Sequence, residues 1–105
     1  MSRKNILIVE DEIVVRSSLK KFLEKNNYKV YEAGSVKEAM NQDLSRFCLI
    51  ITDLKLPGPP GTDIISLAPN TPVLVMSSYP NMKSAVNTMK LGAADYLAMP
   101  IDYED

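Results

Sequence analysis

Residues 6–12 read Ile6-Leu7-Ile8-Val9-Glu10-Asp11-Glu12, four apolar side chains in a row followed by three acids. An unbroken apolar run of that length fits a strand covered on both faces, as in a parallel sheet. A strand with one wet face would alternate instead. Two further runs repeat the pattern, Cys48-Leu49-Ile50-Ile51 and Val73-Leu74-Val75-Met76, and a fourth is Tyr96-Leu97-Ala98-Met99. Lys29-Val30-Tyr31-Glu32-Ala33 alternates more and reads as an edge strand.

Helical patterns fill the gaps. Val15, Leu19, Phe22 and Leu23 form one apolar stripe on a helix over about residues 13–26, which Asn26-Asn27 ends. Ser35-Val36-Lys37-Glu38 has capping-box spacing, in which Ser35 and Glu38 satisfy each other's free amides. It opens a helix expected to bury Val36, Ala39 and Met40. Thr62 to Ala68 leaves room for about two turns before Pro69, and Pro57, Pro59 and Pro60 keep the preceding loop irregular. Met82, Val86 and Met89 line a later helix, with Gly92 placed as its terminating residue. That methionine stripe, Tyr28 and Tyr31 read as packing residues. Strands alternating with helices predict right-handed crossovers and a doubly wound parallel sheet.

The chain has 105 residues, a size that suits a single domain spanning 1–105. It stops at Tyr103-Glu104-Asp105, just past the fifth strand. One face of the sheet is then short of helical cover: either the domain is truncated after the fifth strand and a C-terminal helix has been cut off, or another chain covers that surface. If the 105 residues are all there is, a homodimer or an exchanged element and low stability are expected. The charge is −1, with no basic block, which argues against direct nucleic-acid binding. There is no histidine, so a Ser-His-Asp triad, a Cys-His pair and a histidine metal site are excluded. The single cysteine, Cys48, excludes a disulfide framework and suggests a reducing, cytoplasmic setting. The apolar runs are too short to cross a membrane, and no signal peptide precedes the first strand.

Ligands of open parallel sheets bind beyond the carboxyl ends of the strands. The first strand ends in Glu10-Asp11-Glu12, the third in Thr52-Asp53 and the fourth in Ser77-Ser78. If the first and third are neighbours, Glu10, Asp11 and Asp53 converge. Three close carboxylates cannot all stay ionised unaided at neutral pH. A hard divalent cation, Mg²⁺, compensates them with all-oxygen ligation. Glu12 fits equally the acidic start of a helix. A carboxylate beside Mg²⁺ can attack phosphorus to give an aspartyl phosphate. Ser77 either donates to a phosphoryl oxygen or merely ends a strand, and spacing does not choose between them. Periodicity makes Tyr96 a half-buried strand residue; the functional reading is a ring that changes rotamer.

The combined motifs resemble a bacterial response-regulator receiver domain of the nitrogen-regulation type. The resemblance is carried by residues 6–12, by Asp53-Leu54-Lys55-Leu56-Pro57-Gly58-Pro59-Pro60-Gly61, by residues 73–78 and by residues 92–100. It implies a flavodoxin-like five-stranded sheet in the order 2-1-3-4-5. It implies Asp53 as phosphoacceptor, with Mg²⁺ held by Glu10, Asp11, Asp53 and the backbone carbonyl of Lys55. Ser77 then matches the switch hydroxyl and Tyr96 the switch aromatic, while Pro57 and Gly61 shape the loop beyond the acceptor. The implied donor is a histidine kinase or a phosphotransfer protein, and the module signals through two-component phosphorelay rather than acting as an enzyme.

Three departures from the pattern stand out. Met99 occupies the place of a lysine that pairs with the acceptor; Lys83 and Lys90 lie on the preceding helix with no spacing reason to reach in. The helix after Gly61 is about one turn short, and the last helix is missing. Losing the lysine predicts a raised pKa on one carboxylate, greater reliance on Mg²⁺ and a weaker switch. It also favours an alternative, a pseudo-receiver that binds partners without phosphorylation. An aspartyl phosphatase would need an acid at Lys55, a flavin-mononucleotide site would be repelled by Glu10-Asp11-Glu12, and a nucleotide hydrolase lacks its glycine-rich lysine loop.

Overall fold

A computed structural model describes residues 4–99 of the chain. Five strands, β1 (Asn5–Val9), β2 (Lys29–Ala33), β3 (Leu49–Asp53), β4 (Val73–Ser77) and β5 (Asp95–Ala98), pair in parallel in the order β2-β1-β3-β4-β5. The predicted flavodoxin-like order is therefore observed, with β2 as one edge. The third and fourth strands extend through Asp53 and Ser77, past the apolar runs that announce them, because their ladders continue to Asp53↔Met76 and Ser77↔Ala98. Residues 100–105, the end of the chain past the fifth strand, lie outside the described residues.

Four helices intervene, α1 (Ile13–Lys25), α2 (Val36–Ala39), α3 (Asp63–Leu67) and α4 (Met82–Lys90). In α1, Leu19 and Leu23 are buried, but Phe22 is 37% exposed and turns off the expected stripe. Its end is a Schellman turn: Asn27 takes φ 71°, its N–H reaches the Glu24 carbonyl, and Tyr28 N–H reaches Leu23. Tyr28 itself is exposed, contrary to its reading as packing, because it stands just beyond that turn. Tyr31 does pack on the core, edge-on to Phe47 at 5.5 Å.

The capping box holds on one side. Ser35 Oγ accepts from Glu38 N–H at 3.1 Å, but the Glu38 carboxylate takes the N–H of Gly34 rather than that of Ser35. With α2 only one turn long, Met40 falls past its end and is exposed, while Val36 and Ala39 are buried as expected. In α4 the inward face is Ser84, Ala85 and Thr88, so Met82, Val86 and Met89 look outward and the methionine stripe is not core. Gly92 ends this helix at φ +105° as predicted.

The sheet separates two apolar clusters. One combines Leu7, Val9, Ile50, Val73 and Val75 with Ala33, Val36, Leu44, Phe47 and Ile64, all buried. The other is smaller, with Ile6, Ile8, Ile51 and Met76 under Leu19 and Leu23 of α1. Leu49, Leu74 and Met99 at its border are only partly buried. Among the described residues, no helix is long and apolar enough to cross a membrane.

Candidate functional site

The β1–β3 register runs to Val9↔Thr52, so the next residues along, Glu10 just past β1 and Asp53 at the end of β3, stand side by side. Carboxylate oxygens of Glu10, Asp11 and Asp53 lie within 4.8 Å of one another. Glu10 is the buried member, at 2% exposure; Asp53 is half-buried and Asp11 exposed. Backbone bonds hold Glu10 in place. Its N–H donates to Ala33 at 2.9 Å, and its carbonyl accepts from Arg16 Nη1 at 2.9 Å. Arg16 is spent on that carbonyl and on Glu32, 3.1 Å away, and so belongs to the back of the site.

Burial raises the Glu10 pKa most, the Glu12 N–H bonded to Glu10 Oε2 at 2.9 Å opposes this, and Asp53 and Asp11 raise it further, to about 8. Asp53 is also raised, again chiefly by burial, with Glu10 and the Lys55 and Leu54 amides pulling the other way. Both members of the pair are thus pushed toward the protonated form. Burial is the leading cause for both carboxyls, with the neighbouring acids adding to it.

The loop after Asp53 is folded back onto β3. Lys55 N–H donates to Asp53 Oδ1 at 3.2 Å and Gly61 N–H to the Leu54 carbonyl at 3.0 Å. A Cβ on Gly61 would collide with the Asp53 carbonyl and come within 2.6 Å of Thr52 Oγ1. Glycine is needed here for this close approach.

Across the cleft, Ser77 ends β4 at 4% exposure, its Oγ accepting from Tyr79 N–H at 3.2 Å. The hydroxyl proton is left to donate elsewhere. The Tyr96 hydroxyl donates to Ser84 Oγ at 3.0 Å. Burial acts to raise the Tyr96 phenol pKa, but hydrogen bonding with Ser77, Ser84 and the Asn81 backbone outweighs it and holds the phenol below its ordinary value. Asn81 in turn caps α4, accepting from Ser84 N–H at 2.8 Å. The ring thus sits behind Ser77, latched to α4. The residue-by-residue reading missed Ser84 and Asn81. The one available signal was an asparagine three residues before a serine at a helix start.

Asp11, Glu12, Asp53, Lys55, Ser77 and Tyr79 line a cleft of about 300 Å³. The predicted residues Asp11, Asp53 and Ser77 meet there, with Glu10 in the acid cluster behind and Tyr96 in the wall beyond Ser77. Met99 does not join them. Its N–H donates to the Ser77 carbonyl at 2.8 Å, yet its side chain packs against the cluster under α1. The donor set is all oxygen and clustered around a buried acid, which suits a small hard cation such as Mg²⁺.

Residues 6–105 match the family model of the response regulator receiver domain. The chain is 36% identical over 108 residues to the response regulator protein PilR of Pseudomonas aeruginosa, covering 97% of this chain and 24% of PilR. It is 33% identical over 106 residues to the transcriptional regulatory protein ZraR of Escherichia coli K12, covering 96% of this chain and 24% of ZraR. The chain thus spans about a quarter of the length of these relatives. Among solved structures, a response regulator protein from Burkholderia pseudomallei, with a phosphorylated aspartic acid, calcium ion and citrate, superimposes with a TM-score of 0.84 at 32% identity. That superposition covers 96% of this chain and 62% of the other. The beryllofluoride-activated NtrC4 receiver domain dimer gives a TM-score of 0.87 at 29% identity, covering 96% of this chain and 88% of the other. By sequence match across nearly its whole length and by the architecture just described, the chain belongs to the response regulator receiver domain family.

Proposed function

We propose that this receiver domain accepts a phosphoryl group on Asp53 from a phosphohistidine of a cytoplasmic histidine kinase or phosphotransfer protein. One observation carries the reading: carboxylate oxygens of Glu10, Asp11 and Asp53 lie within 4.8 Å of one another, with Asp53 opening into the cleft that Ser77 also lines. Glu10, Asp11, Asp53 and the Lys55 carbonyl would hold Mg²⁺, which when bound neutralises the negative charge gathered during transfer. An Asp53 oxygen attacks phosphorus in line. Ser77 is held by the Tyr79 amide so that its hydroxyl can donate to a phosphoryl oxygen. Drawing Ser77 toward Asp53 shifts its neighbour Tyr96, and through Ser84 it shifts α4, which makes the local charge a distant signal.

The test is incubation with acetyl phosphate and Mg²⁺, followed by intact mass. The wild type gains one phosphoryl group and Asp53→Asn gains none. Met99 favours a second reading, a pseudo-receiver that binds partners unphosphorylated, since its side chain leaves the cleft without a lysine from β5. A wild type that stays unmodified under these conditions selects that reading. Self-association through an apolar face is part of the proposal, and sedimentation at a range of concentrations checks it: a dimer supports it and a stable monomer removes it.

A further inference from the structure

The acid cluster and an incoming phosphoryl group together carry more negative charge than one divalent cation cancels. Unit charges a few ångströms apart interact by several kcal/mol near a protein surface, so a cation within the cleft matters. Among the described residues that line it, Lys55 is the one cation. Its main chain is tied to the acceptor, with Lys55 N–H on Asp53 Oδ1 at 3.2 Å. Its side chain crosses to the opposite wall, where Nζ lies 5.7 Å from the centre of the Tyr79 ring. Tyr79 is anchored through its own N–H to Ser77 Oγ at 3.2 Å. The lysine stem therefore bridges the mouth of the cleft, between the acceptor strand and the switch strand. Among the described residues the ion pairs are Arg16–Glu32 and Lys20–Glu32, so the Lys55 ammonium is not committed to a carboxylate. An exposed cation–π contact holds it weakly, so that it can exchange for a phosphoryl oxygen.

We infer that Lys55 is the lysine of this phosphoryl-transfer site: its ammonium leaves the Tyr79 ring and pairs with the phosphoryl group on Asp53. It thereby supplies from the β3 loop the charge that Met99 does not supply from β5. This rests on the receiver reading given above. In the transfer, the bond between an Asp53 oxygen and phosphorus forms. The bond from phosphorus to the donor, nitrogen in phosphohistidine or oxygen in acetyl phosphate, breaks with its electron pair staying on the donor. Lys55 remains protonated throughout and neutralises one equatorial oxygen.

The experiment measures the rate of phosphorylation by acetyl phosphate with Mg²⁺ in the wild type, Lys55→Met, Lys55→Arg and Lys55→Met/Met99→Lys, with Mg²⁺ titrations on each metal-free protein. Lys55→Met is expected to be tenfold or more slower. Lys55→Arg should stay within about threefold of wild type, and Met99→Lys should recover most of the loss, because what is missing is charge. The Mg²⁺ titration gives a readout of opposite sign: removing a cation from the cleft leaves Mg²⁺ binding as tight or tighter, whereas damage to the loop would loosen it. A Lys55→Met rate within twofold of wild type overturns the inference, as does an equal loss in Lys55→Arg. A wild type that gains no phosphoryl group overturns the receiver reading itself, and the role of Lys55 falls with it.

Discussion

The two walls of the cleft are built differently. On the β1–β3 wall, Glu10 is buried just past β1, fixed by three hydrogen bonds, and that burial with the neighbouring acids raises its pKa. On the β4–β5 wall, the chemistry rests on single side-chain contacts: Ser77 with Tyr79, Tyr96 with Ser84. The residue that would tie the two walls together from β5, Met99, faces the apolar cluster under α1 instead. A rigid, overcharged acid wall faces a wall that can be rearranged one hydrogen bond at a time. If Asp53 is phosphorylated as proposed, the added charge falls on the more firmly bonded wall and the response on the one held by fewer bonds.

Damage to the rigid wall should produce the largest effects. Gly61→Ala drives a methyl into the Asp53 carbonyl and Thr52 Oγ1. Because those atoms belong to a central strand, they cannot give way cheaply, and a cost of about 1–3 kcal/mol in unfolding free energy is expected. Phosphorylation should fall together with stability. Urea denaturation of the variant at wild-type stability would show that the loop, and not the strand, yields.

Next in size is the pH response of the acid wall. Glu10 has a pKa of about 8 in the fold against 4.5 ordinarily, so the folded state binds the extra proton. In the metal-free protein this group's contribution to stability is full below about pH 4.5 and is lost as pH rises through 8. Mg²⁺ has the opposite preference, since it needs the carboxylate ionised. Its affinity should therefore rise by about tenfold per pH unit from 6 toward 8 and then level off. Calorimetry at pH 6, 7 and 8 in buffers of different ionisation enthalpy reads both the affinity and the released proton. An affinity independent of pH across that interval would mean the cluster is already ionised.

The same contrast explains what the sequence made legible. The rigid wall could be read from unbroken apolar runs ending in acids, because a central parallel strand admits few other patterns: Ile6 to Glu10 and Leu49 to Asp53 announce themselves. The switch wall could not. In α4, small residues Ser84, Ala85 and Thr88 meet the sheet, and the larger Met82, Val86 and Met89 face out, so ranking by hydrophobicity inverts the helix. Met40 was misplaced because a helix of one turn gives no second turn on which to repeat a stripe. Lys55 has no periodic signal at all. It is a charged residue in a proline-rich loop, and only the fold brings its ammonium across to Tyr79.

The smallest expected effect belongs to the latch. Ser84→Ala removes the acceptor of the Tyr96 hydroxyl, one partly buried hydrogen bond. The loss of stability should be about 0.5–1.5 kcal/mol, since the hydroxyl can turn to Ser77 or water. The more telling readout is the phenol itself. With one of its hydrogen bonds gone, the Tyr96 pKa should move back up toward its ordinary value, which the tyrosine absorbance or ring resonances follow with pH. An unchanged titration would show that Ser77 and Asn81 alone set the ring, placing the latch on β4 and the start of the helix. A raised one would place it on Ser84, in the first turn of α4.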